Sequence, residues 1–173
     1  MGHTTFMVCP LSSDKMKESE PGIYPIGSIH ILKSYPSYSV VGKPVETLRK
    51  IESIVRLERP DVIHSNTPLT IGLGALHSSK IMNIPLIGSL HTLLPEMVKH
   101  YPPLRFKKLS EKLGWEIYYH YYDLCDQATC PTLSIQKILC HRRIRKKIEI
   151  VPNGVNIQRF KPDMKAGKDT REF

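Results

Sequence analysis

Apolar positions along this chain follow two alternating rhythms. Short, largely uncharged runs bounded by turn residues occupy Asp61-Val62-Ile63-His64-Ser65 and Ile84 to His91. Ala128-Thr129-Cys130-Pro131 and Ile148-Glu149-Ile150-Val151 are briefer runs of the same kind. That pattern predicts strands buried in a parallel sheet. Between them lie stretches with helical spacing. Val45, Leu48, Ile51 and Val55 recur at intervals of three and four within Val45 to Arg59, and Pro60 stops that helix. Thr70 to Met82 predicts a second helix, with Gly72, Gly74 and Ala75 as a smooth face for close packing on a sheet, and Ser65, Asn66 and Thr67 as capping side chains before Pro68. Leu104 to Cys125 predicts a long amphipathic helix ending in Trp115, Tyr118, Tyr119, Tyr121 and Tyr122, rings whose helical spacing suits core and groove wall. Leu133 to His141 predicts a short helix.

The first 44 residues are less regular. Thr4 to Cys9 has strand character, Leu11 to Glu20 reads as a polar surface loop, and Gly22 to Pro44 reads as an irregular connection with one short strand around Ile29 to Leu32. Pro152-Asn153-Gly154 signals a turn, and the polar tail after Pro162 is expected to be poorly ordered. Strand–helix–strand alternation from Val45 to Val151 predicts an α/β fold, a doubly wound Rossmann-like parallel sheet. One domain over residues 1–162 and a tail over 163–173 follow. Ligands of such sheets bind at the carboxyl ends of strands. His91 stands at one.

Composition narrows the class. A chain of 173 residues suffices for one domain with a real core. The 25 Lys+Arg against 16 Asp+Glu give a net charge of +9, which favours anionic partners such as nucleotide phosphates or lipid headgroups. No nucleic-acid-binding motif accompanies that charge. Cys9, Cys125, Cys130 and Cys140 contain no C-x-x-C pair and match no common zinc spacing, so reduced, mostly buried thiols are expected and no metal site. No apolar run reaches the 18 or so residues that span a bilayer, and no signal-peptide pattern opens the chain. The expected location is the cytoplasm, with peripheral contact at the inner membrane face as a further option through the basic run Arg142 to Lys147. The competing reading of that run is a solvated helix end before a strand.

Several segments, in order, resemble the retaining GT-B glycosyltransferases of family 4. Pro152-Asn153-Gly154-Val155-Asn156-Ile157-Gln158-Arg159-Phe160-Lys161-Pro162 resembles the family's P-N-G-V-D-x-x-R-F-x-P segment, with Asn156 where Asp is usual. Pro60-Asp61-Val62-Ile63-His64-Ser65-Asn66-Thr67-Pro68 resembles its P-D-V-(I/V)-H-x-H-x-P strand end, with Asn66 replacing the second histidine. Leu90-His91-Thr92 is similar to the strand that ends in a histidine near the donor sugar, and Ser28 to Tyr38 and Thr92 to Pro103 are similar to members with lipid acceptors.

The resemblance implies transfer of a hexose from a nucleotide sugar to a hydroxyl acceptor, a lipid among the options, with retention and without a resident cofactor. It implies that His91 positions the transferred sugar and stabilises charge; the alternative is a strand-end histidine bonded to backbone. Asn66 and Thr67 line the same cleft or cap a helix. Thr92, Glu96 and His100 are further substrate-side candidates, and Tyr35, Tyr38 and Tyr101 are candidates for docking an acceptor. The chain is similar to the acceptor-side domain alone, beginning at that domain's second strand. The absent first strand would leave two interior strands unpaired or force them to pair, which predicts weak stability or self-association. The alternative function is a non-catalytic product of a split or truncated gene, inactive alone or completed by a partner chain.

Overall fold

The structure, a computed structural model, describes residues 2–10, 21–27, 29–30, 39–40, 43–93, 107–141 and 144–160. In chain order the elements are β1 (Met7–Pro10), β2 (Ile23–Ile26), β3 (Ile29–His30), β4 (Ser39–Val40), α1 (Pro44–Glu58), β5 (Ile63–Ser65), α2 (Thr70–Met82), β6 (Leu86–Ser89), α3 (Lys107–Leu124), β7 (Gln127–Cys130), α4 (Leu133–His141) and β8 (Ile148–Ile150). The strand–helix alternation expected from the hydrophobic rhythm is therefore observed. β5, β6, β7 and β8 form a parallel sheet in sequential order.

Sequential parallel order has a consequence for the helices. Each crossover steps the same way across the sheet, and right-handed crossovers then place their helices on one face. The side chains agree. Leu86, Ala128, Cys130 and Ile148 are buried in one cluster with Trp115, Tyr118, Tyr121 and Tyr122 of α3 and Leu139 of α4. In register on the opposite face come His64, Ile87 and Gln127, then Ser89, Thr129 and Glu149. Of these only Ser89 is buried.

Gly88 shows how close the helix layer comes. A Cβ there would lie 2.8 Å from Cys125 Sγ and 3.0 Å from a Tyr122 ring carbon. The glycines of α2 serve other neighbours than expected. Gly74 abuts Ile51 of α1, and Gly72 abuts the Thr67 carbonyl, so the smooth face packs on a helix and a loop; Ala75 alone of the three joins the main cluster. α1 ends at Arg59 and α2 at Asn83, both left-handed, with φ of 46° and 53°. The cap of α2 is Leu69, without a side-chain hydrogen bond, in place of the capping expected from residues 65–67.

The N-terminal region differs most from expectation. Ile23–Ile26, expected as irregular, is a strand that pairs in parallel with β1. Pro25 is tolerated there because β2 lies at the edge of a two-stranded sheet. β3 pairs antiparallel with β4. β1 and β5 do not pair with each other. The β1–β2 pair instead meets the larger sheet through an apolar cluster of Ile26, Ile51 and Val55 with Val8, Ile63, Ile71, Met82 and Ile84. Tyr24 hydroxyl also donates to Glu58.

Cys125 and Cys130 are buried as expected, Cys9 is half-buried and Cys140 is exposed; all four are free thiols. Of the basic run, Arg142 and Arg143 lie outside the described residues. Arg145 and Lys146 donate their backbone N–H groups to the Asp123 carboxylate, Ile144 is buried, and Lys147 pairs with Glu149 at 2.6 Å. This segment is a pinned turn leading into β8. Among the described residues no helix is long and apolar enough to cross a membrane, and no group of three or more His, Cys, Asp or Glu side chains could hold a metal ion.

Candidate functional site

The carboxyl ends of β5, β6 and β7 lie side by side because the three strands pair in parallel. Ser65 is in register with Gly88, and Ser89 with Thr129. Two residues beyond the end of β6 comes His91, exposed, with no hydrogen-bond partner among the described residues.

Helix α3 fixes the exit from β6. Tyr118 hydroxyl donates to the Thr92 carbonyl at 2.6 Å, and Tyr122 hydroxyl donates to the Ser89 carbonyl at 3.3 Å. Tyr121 hydroxyl donates to Ser65 Oγ at 2.6 Å, and Ser65 Oγ in turn donates to the Thr67 carbonyl. Both loops that leave the strand ends are thus held by phenols of one helix. Burial pushes Tyr121 and Tyr122 well above the ordinary tyrosine value, so their hydroxyls stay protonated and donating. Burial likewise drives the Cys125 thiol up to about 12, which makes it packing material and no nucleophile.

Asn66 is exposed at the end of β5, while Thr67 Oγ1 accepts the Leu69 N–H at 3.4 Å in a local turn. Thr92 is exposed beside His91. Glu96 and His100 lie outside the described residues, as do Tyr35, Tyr38 and Tyr101. Asn156, where the resemblance led us to expect Asp, accepts the backbone N–H groups of Gln158 and Arg159 at 3.0 Å each. An aspartate would accept the same two bonds, so the exchange preserves the turn.

The face opposite the helices carries a cluster that hydrophobic patterning did not single out. Ser89 Oγ lies 2.6 Å from His64 Nε2 and 2.6 Å from Thr129 Oγ1. Desolvation lowers the His64 imidazole from its ordinary value, and neighbouring His91 adds to the effect. Alternation along β5 would have placed His64 opposite Ile63 and Ser65. Its meeting with Ser89 and Thr129 depended on a register that no single strand encodes.

The family model described as Glycosyltransferase Family 4 matches residues 1–159. A GDP-mannose-dependent alpha-mannosyltransferase of Mycobacterium tuberculosis is 22% identical over 166 residues, covering 93% of this chain and 41% of that protein. Sulfoquinovosyl transferase SQD2 of Arabidopsis thaliana is 25% identical over 133 residues, covering 76% of this chain and 25% of that protein. The chain thus spans less than half the length of these relatives. Among solved structures, a UDP-N-acetylglucosamine 2-epimerase from Listeria monocytogenes superposes with a TM-score of 0.43 at 15% identity, over 81% of this chain and 35% of that one. With a family match over all but the last 14 residues, this chain belongs to Glycosyltransferase Family 4.

Proposed function

We propose that this chain forms the acceptor-side half of a transferase that moves a hexose from a nucleotide sugar to a hydroxyl, with retention at the anomeric carbon. The observation that carries the proposal is His91, unpartnered among the described residues and exposed at the carboxyl end of a parallel strand, in a chain of this family. The mycobacterial relative's name supports a nucleotide-sugar donor, and the two relatives' names differ in the sugar moved, so the proposal is kept to a hexose and not to mannose.

In this reading a nucleoside diphosphate leaves and positive charge develops at the anomeric carbon. His91 sits over the transferred sugar and accepts or donates one hydrogen bond that tightens as charge develops. Asn66, Thr67 and Thr92 line the cleft around it, and Glu96 and His100 act from the acceptor side. No metal or cofactor belongs to the reaction; the donor is a substrate. The phosphate charge is met by a second, nucleotide-holding half. The acceptor hydroxyl is carried by a membrane lipid in the finer form of the proposal, with the basic turn before β8 resting on anionic headgroups.

The test is hexose transfer, followed by mass spectrometry of products from GDP-mannose and UDP-sugars, in the chain joined to a nucleotide-binding half. His91→Ala is expected to lower kcat by about 10²–10³, the usual cost of one transition-state hydrogen bond, while leaving the thermal midpoint unchanged. Wild-type kcat in that variant would remove His91 from the site. Turnover by the 173 residues alone would overturn the need for a second half and nothing else.

A further inference from the structure

We propose that His64 is a second substrate-facing donor, presenting its Nδ1–H to an oxygen of the sugar or its phosphate, with the ring tautomer held by Ser89 and Thr129. The proposal rests on the transferase reading and adds a residue, a ligand atom type and a positioning device to it.

Thr129 Oγ1, Ser89 Oγ and His64 Nε2 form a chain with 2.6 Å at each link, and such a chain has two directions. Run from Thr129 to Ser89 to His64, each hydroxyl proton has an acceptor: Ser89 Oγ for the first, His64 Nε2 for the second. Run in reverse, the Thr129 proton is left without an acceptor among the described residues. The forward run leaves over only the Nδ1–H of an exposed ring, which water can reach, whereas the reverse run leaves over the hydroxyl proton of half-buried Thr129; the forward run is favoured.

An Nε2 that accepts cannot carry a proton, so in the neutral ring the proton sits on Nδ1. Desolvation and the neighbouring His91 both keep the ring neutral near pH 7. Other titratable groups on the surrounding elements leave that state alone: Glu149 on β8 is paired with Lys147, and Tyr121 on α3 donates to Ser65 on the other face. No described residue bonds Nδ1, and the ring keeps solvent access. The result is a donor of fixed direction beside His91, on a rigid strand. Donors held by a supporting shell are what a sugar or phosphate oxygen needs for orientation. Ser89 and Thr129 act through His64 and are positioning residues.

The test uses the chain joined to a nucleotide-binding half, with labelled histidine rings read by long-range proton–nitrogen spectra at pH 7.5 and assigned with His64→Gln and His91→Gln. The expected result is an Nδ1-protonated His64, lost in Ser89→Ala and weakened in Thr129→Val, each variant first shown to melt as the parent does. Addition of GDP-mannose as the probe is expected to move the His64 Nδ1 signal in the parent and less in Ser89→Ala. An Nε2-protonated ring, or a tautomer indifferent to Ser89→Ala, overturns the proposal. A probe that moves His91 and the strand-end amides but leaves His64 in place overturns it while the transferase reading stands. A probe that moves no signal of these strands in the joined protein overturns both.

Discussion

The two faces of the four-stranded sheet solve different problems with the same strands. The helix-covered face excludes water: Leu86 is 0% exposed, Ala128 2% and Cys130 1%, under a layer of tyrosines. The opposite face carries His64, Ser89, Gln127, Thr129 and Glu149, with Ile87 as an apolar member among them. One face supplies stability through apolar burial and dense packing. The other holds polar groups by hydrogen bonds between neighbouring strands. The lesson is a division of labour in which α3 belongs to both: its rings fill the core, while its hydroxyls hold the loops after Ser65 and Ser89.

That contrast can be broken or sharpened by substitution. Leu86→Ala removes a side chain at 0% exposure and is expected to cost about 2–5 kcal/mol by chemical denaturation. A loss under about 1 kcal/mol would mean that this face is not the one that stabilises the fold. Gly88→Ala drives a methyl against Cys125 Sγ and the Tyr122 ring, which have little room to yield; about 1–3 kcal/mol is expected in the same experiment.

Alkaline pH probes the covered face without mutation. The Cys125 thiol rises from an ordinary value of 9.0 to about 12 on folding, and Tyr121 and Tyr122 rise from 10.0. Above pH 9 the unfolded chain releases protons that the folded chain keeps, so stability is full below pH 9 and falls as pH rises further. A thermal midpoint that stays level from pH 8 to pH 11 would contradict this burial. Acid acts on the other face in the opposite sense. His64 is lowered from 6.5 on folding, so its contribution is present above pH 6.5 and lost as pH falls through its folded value. His64→Gln should flatten the part of the stability profile just below pH 6.5. The smallest effect belongs to Glu149→Ala, at an exposed position, with a change within about 0.5 kcal/mol.

Much of the fold could be read from periodicity. α1, α2 and α4 fall within a residue of their expected bounds, and the strands of the larger sheet were each marked by a short apolar run. β2 escaped because Pro25 interrupts a segment rich in turn residues, and its strand state depends on β1 beside it. In the candidate site, His91 was legible as an abrupt end to an apolar run, and the structure places it just past β6. His64, Ser89 and Thr129 were not, because they lie 25 and 40 residues apart in the chain and meet only through strand register.

By itself, then, the sequence determined the alternation of strands and helices, the parallel sheet and the histidine at the end of β6, since each depends on local spacing and side-chain volume. Tertiary structure decided which face of each strand meets helices. It also decided that the α3 phenols hold the site loops and that a hydroxyl chain reaches His64. The physical reason is that a hydrogen bond of 2.6 Å between strands requires a register, and register is a property of pairs.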